Sequence, residues 1–124
     1  MQTALWISLG AVLGANARYL VAQRVARWTG STLPYGTLLI NCTGSFILGF
    51  FLVWTSQRVL ADPRWRLLVA IGFCGSYTTF STYSYETFAY LEQGQWQVAV
   101  LNILGSNFLC LVGVLAGAAL ARAL

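Results

Sequence analysis

Apolar positions along the chain fall into four long runs, at about 2–28, 35–60, 64–92 and 95–123, separated by short polar, glycine or proline breaks. A helix that crosses a bilayer needs about 20 residues, and each run is long enough. Residues 29–34 (Thr-Gly-Ser-Thr-Leu-Pro) read as the first turn and Ala61-Asp62-Pro63 as the second, with Pro63 suited to a first helical turn. Gly94 ends the third run. The pattern predicts an all-α membrane protein of four transmembrane helices in one domain covering 1–124. The third run is unusual: it is apolar over 67–74 and then turns polar (GSYTTFSTYSYET) over 75–87. Glycine disfavours regular helix, and serine and threonine compete for backbone hydrogen bonds. A break is therefore predicted within 75–79, near the middle of the third helix. Freed backbone groups at membrane depth need protein or a cavity to satisfy them, and unwound carbonyls can coordinate a cation; a kink without a ligand is the plainer alternative.

Composition supports the membrane reading. The 124 residues are 58% hydrophobic and 8% charged, against roughly 25% charged residues in soluble domains. The seven basic residues are all arginine, the acidic ones number three, and histidine is absent. A histidine base is excluded, no paired carboxylates suggest acid/base work, and a His/Cys/carboxylate metal site is disfavoured, so the chain does not read as an enzyme. Basic runs with interleaved aromatics are lacking, which argues against nucleic acid. The first run has no basic start and no cleavage-site pattern, so it reads as a retained span rather than a signal peptide. Cys42, Cys74 and Cys110 are odd in number and far apart in sequence, each within an apolar run, and read as small buried hydrophobes.

Charge placement then bears on topology. Four spans put Arg58, Arg64, Arg66 and Arg122 on one side and Arg18, Arg24 and Arg27 on the other. Four against three gives the positive-inside rule almost no direction. Either cellular factors set one orientation, or copies insert both ways and pair antiparallel. Only one copy of the four-helix unit is present, so a function that needs two halves must take the second from another subunit. Gly10-x-x-x-Gly14 and Gly113-x-x-x-Gly117 are close-packing motifs, serving either the bundle itself or a subunit interface.

Polar side chains at membrane depth are costly and need a reason. They are Asn41, Thr43 and Ser45 in the second run; Thr78, Thr79, Ser81, Thr82, Ser84 and Glu86 in the third; and Asn102, Ser106 and Asn107 in the fourth. Asn102, Ser106 and Cys110 recur every four residues and share one helical stripe. Asn41 and Ser45 pair in the same way. Thr79, Thr82 and Glu86 share one face, and Phe80, Tyr83 and Ser84 an adjacent one. Such neutral dipoles suit an ion stripped of its water, although the same residues can act as glue between helices. Aromatic rings carry a positive edge, so Phe80 and Tyr83, aimed edge-on at a narrow path, would favour an anion.

Three stretches carry a family resemblance: Gly14-Ala15-Asn16-Ala17-Arg18-Tyr19; Gly36-Thr37-Leu38-Leu39-Ile40-Asn41-Cys42-Thr43-Gly44-Ser45-Phe46; and Gly72-Phe73-Cys74-Gly75-Ser76-Tyr77-Thr78-Thr79-Phe80-Ser81-Thr82. In these the chain resembles the Fluc (CrcB) fluoride channel family across all four spans. The resemblance implies an antiparallel, dual-topology homodimer in the bacterial cytoplasmic (inner) membrane, with two pores at the subunit interface and passive export of fluoride. It also implies a structural sodium ion at the dimer centre, held by the backbone carbonyls of Gly75 and Thr78. The pore set taken with it is Asn41, Phe80, Tyr83, Ser81, Thr37, Glu86, Asn102 and Ser106, with Arg18 drawing anions toward a vestibule. Tyr83 stands where the family has a second pore phenylalanine, and the fourth-span track reads Asn102, Ser106, Cys110 where tyrosine or serine is more familiar at the ends. Two other classes share the outline. A small multidrug or guanidinium exporter would need a carboxylate in the first span, where this chain has none, leaving Glu86 as its only candidate. A non-transporting assembly subunit would leave the polar stripes as glue.

Overall fold

A computed structural model describes residues 1–30, 33–57 and 62–124, and among these the regular structure is entirely helical. Ser31 and Thr32 of the first expected turn lie outside the described residues, as do Arg58, the expected end of the second run at Leu60, and Ala61. Helix α1 runs Gln2–Thr29 and stops at Gly30, whose φ of 54° is left-handed and whose N–H bonds the Ala26 carbonyl at 3.0 Å. That is the glycine stop expected of a helix end. Helix α2 runs Tyr35–Ser56 behind Pro34. Asp62 then caps a short helix α3, Pro63–Trp65, by accepting from the Arg64 N–H at 2.9 Å, with Pro63 in the first turn.

The third apolar run is not a uniform α-helix. After α3 it continues as a π-helix over Arg66–Cys74 and a single turn α4 over Gly75–Tyr77. Thr78 (φ −76°, ψ 159°) and Thr79 (φ −151°, ψ 110°) are extended, and helix α5 then spans Phe80–Glu92. Gly94, at φ 72°, turns the chain into helix α6, Trp96–Ala123. Helices α1, α2 and α6 are each long and apolar enough to cross a membrane. At 1.5 Å per residue the 28 residues of α1 or α6 reach about 42 Å, more than the roughly 30 Å hydrocarbon core.

Packing is tight between backbones and sparse in large buried side chains. Helix α6 lies along α2, and α1 lies along the π-helix and α4. Small residues permit both approaches. A Cβ on Gly10 would collide with the Leu68 carbonyl, and one on Gly72 would lie 2.6 Å from the Ile7 carbonyl. Gly14 abuts Phe73 and Ser76, and the Ser76 hydroxyl donates to the Ala11 carbonyl at 3.0 Å. Gly113 sits against the Cys42 carbonyl and Gly117 against Phe46. Both small-xxx-small motifs are thus used inside the chain. The large apolar side chains point outward instead: Leu13, Leu101 and Leu111 are at least 60% exposed, whereas Ala99 and Ala121 are fully buried. Lipid is as apolar as leucine, so helices in a bilayer associate through close packing rather than by hiding leucine.

Candidate functional site

The two extended threonines are the origin of the site. In an α-helix the N–H of residue 79 would bond the carbonyl of residue 75, and that of 82 the carbonyl of 78. Both N–H groups go elsewhere. The Thr79 N–H donates to Asn41 Oδ1 at 2.8 Å, and Asn41 Nδ2 donates back to the Thr79 carbonyl at 3.1 Å. The Thr82 N–H donates to Thr79 Oγ1 at 3.2 Å, which caps α5. Side chains therefore replace the helical ladder, and the Gly75 and Thr78 carbonyls are left without their i+4 partners. The Thr78 hydroxyl is spent on the Cys74 carbonyl at 2.9 Å. Gly75 is exposed, with nothing within 4 Å of where a Cβ would stand. Below the extended pair, Tyr77 is buried, stacks on Phe73 with centroids 5.4 Å apart, and shares a 3.0 Å hydrogen bond with Thr43.

A cavity of about 330 Å³ opens beside this segment. Asn41 and Ser45 line it from α2, Gly75, Thr78 and Thr79 from the interrupted stretch, Phe80 and Tyr83 from α5, and Ser106, Asn107 and Cys110 from α6. Phe80 and Tyr83 face each other at 5.4 Å with their planes tilted by 46°. Phe80 is 77% exposed. The Tyr83 hydroxyl accepts from Asn107 Nδ2 at 3.2 Å, so the hydroxyl that replaces a bare phenyl edge already has a donor. A second cavity of about 260 Å³ lies between the start of α2 and α6, lined in part by Leu38, Asn102 and Ser106. Ser106 borders both.

The α6 stripe is bonded along its length. Ser106 Oγ donates to Asn102 Oδ1 at 3.1 Å, Asn102 Nδ2 to Thr87 Oγ1 at 2.9 Å, and Thr87 Oγ1 to the Tyr83 carbonyl at 2.8 Å. The sequence marks Asn107 as a polar group of the fourth run but on no stripe, and does not single out Thr87; their i−4 bonds to the Ile103 and Tyr83 carbonyls are ordinary helical ones, and the α5–α6 crossing adds Tyr83 and Asn102 as partners. Cys110 continues the stripe, with its sulfur 3.8 Å from that of Cys42 on α2, a proximity that two cysteines 68 residues apart do not announce.

Four candidates do not line the central cavity: Thr37, Glu86, Ser81 and Arg18. Thr37 Oγ1 donates to Glu86 Oε1 at 2.7 Å, which ties α2 to α5, and Glu86 Oε2 is buried with no hydrogen-bond partner among the described residues. Both border a smaller cavity of about 150 Å³ on the α1 side. Glu86 therefore turns toward Thr37, while Thr79 and Thr82, expected on the same face, bond to each other at 2.9 Å. Ser81 is exposed, 3.3 Å from Thr79 Oγ1. Arg18 is half-buried on α1 and lines none of the three cavities.

Comparison with known proteins gives a consistent picture. The pattern of the family described as CrcB-like protein, Camphor Resistance (CrcB), matches residues 5–118. A fluoride-specific ion channel FluC of Koribacter versatilis is 56% identical over 120 residues, 97% of this chain and 95% of that protein. Its namesake in a Sulfurihydrogenibium species is 45% identical over 124 residues, and that of Geobacter sulfurreducens 44% over 124, both covering the whole of each chain.

Proposed function

Because this chain belongs to the CrcB family, we propose that it conducts fluoride passively out of the cytoplasm, through pores completed by a second, antiparallel copy. It is a channel and not an enzyme, and a multi-pass bacterial membrane protein. Beside the family, the observation that carries the pore is the polar row on α6: Asn102, Ser106 and Cys110 run from one cavity into the next, and Ser106 borders both. In this reading the hydroxyls and amides of that row, with the second N–H of Asn41, replace water around the anion. Neutral dipoles at close range can do this where a fixed cation would hold the ion too tightly to release it. The edges of Phe80 and Tyr83 line the same path. Ser81, at the start of α5, lies at its exposed margin. Thr37 and Glu86 flank it from the α1 side, and Arg18 contributes long-range attraction. In the membrane, the π-helix, α4 and α5 together make the fourth crossing.

The residues present also fit a sodium ion. Gly75 and Thr78 offer neutral carbonyl oxygens released from the helical ladder, and Gly75 has open space beside it. Oxygen donors of unwound membrane helices are suitable sodium ligands. Two carbonyls are too few for one ion, so a second copy would supply the others. Bound sodium would supply a fixed positive charge joining two chains. The exporter reading has lost its ground, since Glu86 stands on the third run tied to Thr37 and the relatives are channels.

The decisive measurement is fluoride release from liposomes holding the purified protein, read with a fluoride electrode. Release no faster than from empty liposomes would overturn the function, and equally fast chloride release would overturn the selectivity.

A further inference from the structure

We propose that Cys42 and Cys110 form a two-thiolate site for a soft cation of the copper(I), silver(I) or mercury(II) class. The two residues come from different helices, α2 and α6, and are both half-buried with sulfurs 3.8 Å apart. Their approach is fixed by backbone packing one turn away, where Gly113 sits against the Cys42 carbonyl. Two alternatives for a close cysteine pair differ in the movement they need. A disulfide would bring the sulfurs from 3.8 Å to about 2.05 Å by side-chain rotation. With the zinc–thiolate length of about 2.3 Å as the measure, a metal held in line between two thiolates separates them to about 4.6 Å, an outward adjustment of under about 1 Å. The present separation therefore accepts a linear two-thiolate cation with little movement, and the disulfide is the competing state that reduction of the protein removes.

Ligand chemistry selects the class. Thiolates prefer soft metals, and two donors suffice only for cations that accept linear coordination. Among the described residues no group of three or more His, Cys, Asp or Glu side chains comes together, so the pair offers nothing to tetrahedral zinc. Access comes from the 330 Å³ cavity that Cys110 lines. Binding is a ligand exchange without redox change: each thiol loses its proton to water, each sulfur forms one bond to the metal, and the metal releases two water or chloride ligands to solution. The third cysteine, Cys74, is 2% exposed and is not part of the pair.

The test is a thiol count on reduced, purified protein titrated with mercuric chloride. One equivalent is expected to remove two of the three free thiols, with the absorbance of a mercury dithiolate, and the same equivalent to remove only one in Cys42→Ser or Cys110→Ser. Loss of a single thiol per mercury in the unaltered protein, or equal loss of two in both variants, would overturn the site. Gel migration under non-reducing conditions separates a bridge within one chain from one between chains, and a mercury bridge between chains would also overturn it. Fluoride release addresses the pore reading separately. If that reading is right, mercury slows release severalfold in the unaltered protein and not in the variants. Intact two-thiol binding with unaltered release would leave the metal site standing and remove the Cys110 end of α6 from the pore.

Discussion

At the scale of single residues, two side chains make the sharpest claims. Phe80 is 77% exposed in one chain, with its ring against that of Tyr83, so its ring contributes little to the stability of its own chain. Replacing it with isoleucine keeps the bulk and removes the aromatic edge. An aromatic-edge contact worth about 0.5–1.5 kcal/mol translates to a roughly two- to tenfold slower fluoride release, with the gel-filtration profile unchanged. Unchanged release would take Phe80 out of the pore. Thr37 is buried and, among the described residues, supplies the one donor to the Glu86 carboxyl. Thr37→Val leaves that group without a partner, a loss of about 1–3 kcal/mol. Thermal unfolding in detergent should register it, and Thr37→Ser should restore most of it. Arg18 was legible as the deep charge of α1, but its distance from the cavities was not, because sequence says nothing of which neighbour a helix face meets.

At the scale of elements, the interrupted third run decides most of the site. Its residues 75–79 were marked in sequence by a glycine and a cluster of hydroxyls. Where their N–H groups go was not, because the partner is Asn41, 38 residues away. Asn41 reads from sequence as a pore residue; what the structure shows is the strut that holds Thr79 extended. Asn41→Leu removes two hydrogen bonds and strands the Thr79 backbone groups, at about 1–3 kcal/mol. The expected result is a lower melting temperature that no longer rises when sodium replaces choline. A variant that keeps its sodium-dependent rise would separate Asn41 from the cation site. The α1–π-helix contact is equally exacting. Gly10 has backbone at contact distance, so Gly10→Leu forces the two helices apart and costs at least about 1–3 kcal/mol. It should reduce the yield of folded protein, while Gly105→Leu, where a Cβ meets nothing within 4 Å, should not.

For the whole molecule, the outward-facing leucines and the exposed polar start of α5 describe a chain suited to lipid on most sides and to a partner on one. The arginine balance makes the antiparallel pairing testable. Two C-terminal reporters, one active only in the cytoplasm and one only outside it, should both give signal when fused to this chain. Signal from one alone would eliminate the antiparallel dimer. Sodium should enter the same test: removing it should lower the fraction of dimers counted by single-molecule photobleaching if the Gly75 and Thr78 carbonyls of two chains share an ion.

Sequence alone determined the solvent and the class of fold. Apolar runs of bilayer length with almost no charge can satisfy their backbone in lipid only as helices, and the same scarcity of charge confines any ion path to neutral dipoles. The stripe of Asn102, Ser106 and Cys110 was also readable, since helical periodicity is a local property. Tertiary structure decided which stripes meet. It joined Asn41 to Thr79, Thr37 to Glu86, Asn102 to Thr87 and Cys42 to Cys110, all pairs distant along the chain. Helix crossings set by glycine contacts fix those distances. No periodicity within one helix encodes them.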